Sequence, residues 1–250
     1  MRVSSLEVAE MTKLVNNSYR DIVFSYSNYI CQIALKYNLD VREVIKAANQ
    51  GYPRNSVPFP SPGVGGPCLT KDPHIFALSC DSRVDETGMT LFEYGRSINE
   101  SMHDYVVSRV KKELSVLGKE IVNCKILVCG LAFKGKPETG DVRNSSSVEI
   151  YQIIGLETKN TYGHDPVASW EDIIEVGVRP VTLDDGMTDA DAVLFLNNHR
   201  FYEGINIVDA VKKMSEHPII FDGWNIYRPD EVTSIRPSVY MNLSQVKSSI

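Results

Sequence analysis

The sequence predicts an α/β protein: a helical half over residues 1–118, then a Rossmann-like half, a parallel sheet wrapped by helices, over 119–250. Three observations lead there. Through the first half apolar residues recur at helical spacing. After Gly118 short continuous apolar runs such as "KILVCGLAF" and "AVLFLNN" alternate with helical stretches, the pattern of β-α units in a sheet covered on both faces. Between helices of the first half lies an irregular stretch, 51–71, rich in proline and glycine, which fits neither pattern.

The first element is a long amphipathic helix from Leu6 to Ala34. Its apolar stripe is Leu6, Met11, Leu14, Val15, Tyr19, Ile22, Val23, Tyr26, Ile30, Ile33 and Ala34, and Ser4-x-x-Glu7 supplies a capping box. "NLDVREVIKAANQG" reads as a second helix, begun near Asp40 and stopped at Gly51. The 51–71 stretch carries Pro53, Pro58, Pro60, Pro62 and Pro67. A loop of about twenty residues is uncommon in a compact domain and is usually functional or disordered; prolines that fix φ favour function. Helices follow over 73–80 and 87–117, and the second joins the halves. Beyond it come strand "KILVCGLAF", helix "SSSVEIYQIIG", strand "NTYGHDP", a short helix at 169–176, strand "RPVTL", a brief helix at 186–190, strand "AVLFLNN", a helix at 204–215 and strand "PIIFDGW".

The chain of 250 residues is 43% hydrophobic and 23% charged, ordinary for a soluble globular protein. A net charge of -6 argues against a nucleic-acid partner, since phosphate backbones select basic surfaces. No apolar run approaches the ~18 residues a membrane span needs, and "MRVSSLEVAEMTK" lacks the apolar core of a signal peptide. Five cysteines with no CxxC pair read as free thiols in a reducing, cytoplasmic compartment. Five scattered histidines lack metal-ligand spacing, so no metal site is expected.

Cys68 stands in "SPGVGGPCLTKDP", with Lys71 three residues on and a helix starting just after. A cysteine attacks as its thiolate, which nearby cations and helix N-terminal amides favour; a buried structural cysteine is the alternative. Cys31, Cys80, Cys124 and Cys129 lie in apolar patterns and read as core. Lys13 and Asn17, at i and i+4, set an ammonium and an amide on one polar face of the first helix. Such a pair suits an oxyanion or a substrate hydroxyl; a solvated face is the alternative. "GLAFKGKPETGDVRNSS" fills the turn after the first strand, where doubly wound sheets bind ligands. Lys134 and Arg143 there either hold phosphates or belong to a surface loop. No G-x-G-x-x-G occurs in the sequence, so an ordinary dinucleotide site is not encoded.

Together these segments resemble the UDP-glucose/GDP-mannose dehydrogenase family, the NAD-dependent nucleotide-sugar 6-dehydrogenases. "AEMTKLVNNSYRD" is similar to the family's central helix, "PGVGGPCLTKDP" to its catalytic loop and "LVCGLAFKGKPETGDVRNSS" to the opening of its UDP-binding domain. The resemblance makes 1–118 a helical central domain that dimerises and carries the cysteine loop, and 119–250 a Rossmann-like UDP-sugar-binding domain. It implies oxidation of a UDP-sugar C6 alcohol to a uronate, with NAD as cofactor and a cysteine thiohemiacetal and thioester on the way. It assigns Cys68 as nucleophile, Lys13 and Asn17 to the C6 oxyanion, and Asp72 to a group near the reacting carbon. It gives Arg54, Phe59, Gly65, Phe133 and Lys134 to the substrate, Arg54 reaching across a homodimer, and Lys71 and Arg143 to the cofactor.

The sequence also departs from the family. It begins where the family's N-terminal NAD-binding domain would end, so that domain is expected in a separate chain or segment, or to have been lost. "FDGWN" has Trp224 where many members have arginine beside the UDP site, and Pro67 precedes the cysteine where serine or histidine is common. The short Arg54-to-Cys68 interval resembles the UDP-N-acetylhexosamine branch more than the UDP-glucose branch. Without the NAD-binding domain the chain is expected to be inactive alone, the alternative being a non-catalytic module that binds UDP-sugar or dimerises.

Overall fold

Helix α1 (Leu6–Lys36) begins the fold in a computed structural model that describes residues 2–52, 54, 56–79, 88–234 and 236–250. Its cap is Ser5, not the expected Ser4: Ser5 is the last extended residue, and its hydroxyl accepts from Val8 N at 3.4 Å. The apolar stripe read from the sequence is largely on the outside, with Met11, Val15, Tyr19, Tyr26 and Ile33 exposed. The buried face is instead Ser18, Asp21, Ser25, Asn28 and Cys31, joined by Ala34 of the predicted stripe. These residues are small or hydrogen-bonding, which suits the close approach of α3 (Asp72–Leu78) and α4 (Leu91–Val116).

Helix α2 (Val41–Asn49) is capped by Asp40, which accepts from Arg42 N at 2.9 Å. Helix α4 starts after a full capping box, Thr90 with Glu93, four residues beyond the expected position 87. Residue 87, Cys80 and the end of the helix expected over 73–80 lie outside the described residues.

The second half is a sheet of β1 (Ile126–Cys129), β2 (Thr161–His164), β3 (Ala192–Phe195), β4 (Ile219–Asp222), β5 (Val239–Met241) and β6 (Val246–Ser248), in the order β2-β1-β3-β4-β5-β6. All neighbours pair parallel except the antiparallel edge β5–β6. Alternate residues of one strand enter opposite cores. Ile126 and Val128 pack with α5 (Ser146–Glu157), whereas Leu127 and Cys129 pack with α7 (Leu183–Met187) and α9 (Ile207–Lys213). Helices α6 (Trp170–Glu175), α8 (Arg200–Glu203) and α10 (Pro229–Thr233) complete the α/β layers.

"RPVTL" is not a strand. It makes only a single parallel bridge, Gly163 to Pro180: on one side Arg179 N is committed to Tyr151 OH, and on the other Thr182 already caps the next helix. The brief helix expected at 186–190 lies earlier, as α7, because Thr182 caps it through Asp185 N.

The halves share one core. Cys31, Met102, Val106 and Leu114 of the helices join Ile126, Leu194, Phe221 and Met241 of the sheet. Tyr105 OH and Cys31 Sγ both donate to Leu243 O, and Arg109 donates to Asn242 O and Gln245 O. Among the described residues no helix is long and apolar enough to cross a membrane.

Candidate active site

Strand order locates the site. β1 lies between β2 and β3, while the helix after β1 (α5) and the helix α9 after β3 cover opposite faces of the sheet. The chain therefore diverges at the carboxyl ends of β1 and β3, and a crevice opens there. A cavity of about 430 Å³ occupies it. Ala132, Phe133 and Lys134 line it from the turn after β1, Leu196, Asn197 and Asn198 from the turn after β3, and Ser145, Ser146 and Ser147 from the start of α5. The opposite wall belongs to the helical half: Asn17, Arg20 and Phe24 of α1, and Gly63–Leu69 of the proline-rich loop, including Cys68.

The loop reaches this wall because two glycines permit it. A Cβ on Gly65 would stand 2.3 Å from Asn144 O, and Gly66, at φ +94°, would strike the Phe133 ring. Gly66 N then donates to Asn144 O at 2.7 Å, tying the cysteine loop to the approach of α5. The Cys68 side chain is exposed, and its carbonyl accepts from Asp72 N at 2.8 Å as α3 begins. Asp72 is buried; its Oδ2 accepts from Asn17 Nδ2 at 2.6 Å and lies 3.7 Å from Lys13 Nζ. One carboxylate oxygen thus gathers both polar residues of α1 next to the cysteine turn.

Of the residues singled out in the sequence, Cys68, Asn17, Gly65, Phe133 and Lys134 line the cavity, and Lys13 and Asp72 join it through Asn17. The others stand apart. Phe59 packs on the core beneath Arg42, whose guanidinium carbon is 3.9 Å from the ring centroid. Arg143 is exposed and forked onto Asp141, Nε to Oδ1 at 2.9 Å and Nη2 to Oδ2 at 2.7 Å. Lys71 and Arg54 are exposed.

Residues 7–101 match the central domain of the UDP-glucose/GDP-mannose dehydrogenase family, and residues 127–229 match its UDP binding domain. The chain belongs to the UDP-glucose/GDP-mannose dehydrogenase family. It is 31% identical over 231 residues to the UDP-N-acetyl-D-mannosamine dehydrogenase of Pyrococcus horikoshii, an overlap of 92% of this chain and 51% of that protein. The enzyme of the same name from Escherichia coli K12 is 29% identical over 210 residues, 82% of this chain and 48% of that protein. The solved UDP-D-ManNAc dehydrogenase of Pyrococcus horikoshii superposes with a TM-score of 0.80 at 28% identity, covering 95% of this chain and 52% of that one. An NDP-N-acetyl-D-galactosaminuronic acid dehydrogenase from Methanosarcina mazei gives 0.84 at 26% identity, covering 96% and 51%. The chain spans about half the length of the curated relatives it matches.

Within this UDP-glucose/GDP-mannose dehydrogenase frame, several cavity residues carry no signal in the sequence reading: Arg20, Phe24, Asn197, Asn198 and the serines of α5. Asn197 and Asn198 hold the two turns together, Asn197 Nδ2 donating to Ala132 O and Asn198 Oδ1 accepting from Gly135 N. They follow a strand at the switch point, so the rule that singled out Lys134 applies to them once strand order is known. Trp224 also lines the cavity. Its indole N–H is committed to Leu196 O at 2.8 Å, which fixes the ring, and its backbone N–H donates to Asp222 Oδ1. Burial pushes the Asp222 carboxyl up, against the backbone amides of Tyr227, Ile226 and Trp224 that pull it down.

Proposed function

We propose that this chain is the central and UDP-binding portion of an NAD-dependent UDP-sugar 6-dehydrogenase acting on a UDP-N-acetylhexosamine. Its domains would be 1–118 and 119–250. The observation that carries the reading is the shared cavity: one wall bears a free thiol with the Lys13–Asn17–Asp72 cluster beside it, and the other is a nucleotide-sized crevice at the switch point. Lys134 and the N-terminus of α5, with Ser145–Ser147, suit a diphosphate. The relatives named for UDP-N-acetyl-D-mannosamine make that sugar the first candidate.

In this reading Cys68 adds to the C6 carbon once it is an aldehyde, giving a thiohemiacetal. Lys13 and Asn17 donate to the oxygen on which negative charge then develops. Asp72 holds both donors at one place, and its burial keeps them there. One oxidation level higher C6 is a thioester, which water cleaves to the uronate and the free thiol. NAD, when bound, is the hydride acceptor for C6. Lys71 and Arg143 are the cations this chain would lend it: both are exposed, which fits a cofactor held chiefly outside this chain, and Arg143 would exchange Asp141 for it. The chain alone would not reduce NAD. Two copies would pair through the outward apolar stripe of α1, with Arg54 toward the partner's substrate.

Calorimetric titration with UDP, UDP-N-acetylmannosamine and ADP tests this reading. Saturable heat with both uridine ligands and none with ADP is the expected result. Equal response to ADP, or no response to any of them, would contradict it.

A further inference from the structure

The cysteine loop is thin. Val64 and Gly65 border the cavity of about 430 Å³ on one side and a second cavity of about 390 Å³ on the other, lined by Arg96, Glu100, His103 and Ser146. Gly65 and Gly66 pack on Asn144 and Phe133, the loop has space on both faces at Val64, and Cys68 at its end is exposed. What reaches it from behind is Arg96 of α4. Arg96 Nη2 donates to Val64 O at 2.6 Å, and Nη1 donates to both Leu69 O at 3.2 Å and Asp21 Oδ1 at 2.7 Å. Its Nε faces Glu100 Oε1 at 3.2 Å. The two carbonyls bracket the four residues Gly65, Gly66, Pro67 and Cys68.

The guanidinium is itself locked. Arg96, Asp21, Asn99 and Asn28 are at most 1% exposed. Asn99 Nδ2 donates to Asp21 Oδ1 and to Asp21 O, Asn28 Nδ2 donates to Asn99 Oδ1, and Asn28 Oδ1 accepts from Ser61 N at 2.9 Å. The network runs from α4 through α1 and grips the loop at Ser61, Val64 and Leu69. A buried charge must have its partners, and a planar fork spreads its donors over separate nitrogens, here Nη1 for Asp21 and Leu69 and Nη2 for Val64, where a lysine has a single nitrogen.

We propose that Arg96 is a positioning residue: it sets the backbone of the Cys68 loop, and through it the thiol and the loop wall of the nucleotide cavity. The consequence for ligand binding rests on the function proposed above; the clamp itself does not.

Hydrogen exchange of the whole chain, compared among wild type, Arg96→Lys and Arg96→Met, tests it. In Arg96→Lys a cation still faces Asp21, so the fold is kept, but one nitrogen replaces the two that reach Val64 O and Leu69 O. The amides of Gly66, Thr70, Lys71 and Asp72 are expected to exchange about tenfold faster in both variants, while strands β1 and β3 keep wild-type rates. UDP, titrated into the same samples, is expected to bind about tenfold more weakly. Wild-type loop exchange in Arg96→Lys would show that any cation beside Asp21 suffices, and would overturn the clamp. Acceleration spread evenly over loop and sheet in Arg96→Lys would overturn it too, leaving Arg96 a general stability residue. Faster loop exchange supports the clamp whether or not UDP binds; absence of UDP binding in wild type would count against the ligand reading alone.

Discussion

Asn17 and Asp72, 55 residues apart in sequence, are joined by a 2.6 Å hydrogen bond from the amide to the buried carboxylate, and Lys13 stands 3.7 Å from the same oxygen. This contact fixes α1 against the start of α3 and thereby against the cysteine turn. Removing Asn17 leaves the buried Asp72 carboxylate without its amide donor, and removing Asp72 leaves the half-buried Asn17 amide without its acceptor. Asp72→Ala and Asn17→Ala are each expected to lower unfolding stability by about 1–3 kcal/mol, and the double variant by less than their sum, with a coupling of about 1 kcal/mol or more. Urea midpoints read all three; simple additivity would mean the bond contributes nothing.

Trp224 gives the cavity its own reporter. The chain has two tryptophans, and the other, Trp170, is replaced by phenylalanine in the test protein. UDP is then expected to quench the remaining fluorescence. Trp224→Phe keeps an aromatic face and should bind UDP nearly as well. Trp224→Ala should weaken it about tenfold, the scale of one base stack. Equal affinity in both variants would exclude the ring from the binding surface.

His103 makes stability depend on acid. Burial pushes its imidazole from the ordinary 6.5 down to about 4, with the Arg96 charge acting in the same direction. The folded chain therefore keeps it neutral while the unfolded chain takes up a proton near 6.5. Its contribution is whole above that value and is lost as pH falls toward 4, roughly 3 kcal/mol at most. His164, also lowered by burial, adds to the same limb. Thermal melts of His103→Gln should fall less steeply between these pH values than wild type; parallel curves would refute the assignment.

The exposed stripe of α1 should cover itself with a second copy. Light scattering is expected to give a dimer, and Tyr19→Glu with Met11→Glu should give a monomer that still binds UDP. A monomeric wild type at micromolar concentration would remove the α1 interface from the account.

Much of this was legible in the sequence for a definite physical reason. Periodicity marks α1 because a helix of that length repeats its pattern many times, and the run "KILVCGLAF" marks β1 because a parallel strand buried on both faces has no polar side. Periodicity does not say which face of α1 turns inward. Here the inward face is polar, because Asp21, Asn28 and Asn17 find partners on α4, the cysteine loop and α3 that lie far away in sequence. Strands β5 and β6, three residues each, are too short to show a period. For the site, Cys68 and Lys134 stand in recognisable loops and Trp224 takes the place of a family arginine, but Asn197 and Asn198 reach the cavity only through the order of the strands.

The central claim is that Cys68 faces a UDP-sugar in the switch-point cavity, and peptide-resolved alkylation tests it most directly. Iodoacetamide should label Cys68 in the folded chain. Burial protects Cys31 and Cys124, whose thiols it pushes up to about 11, and Cys129, which it raises well above the ordinary thiol value. Saturating UDP-N-acetylmannosamine is expected to slow Cys68 labelling about tenfold or more, UDP alone to slow it less because it lacks the sugar, and Lys134→Met to abolish protection at the same ligand concentration. Cys68 labelling that proceeds at one rate with and without a bound UDP-sugar would contradict the account, since the thiol would then lie outside the site that holds the substrate.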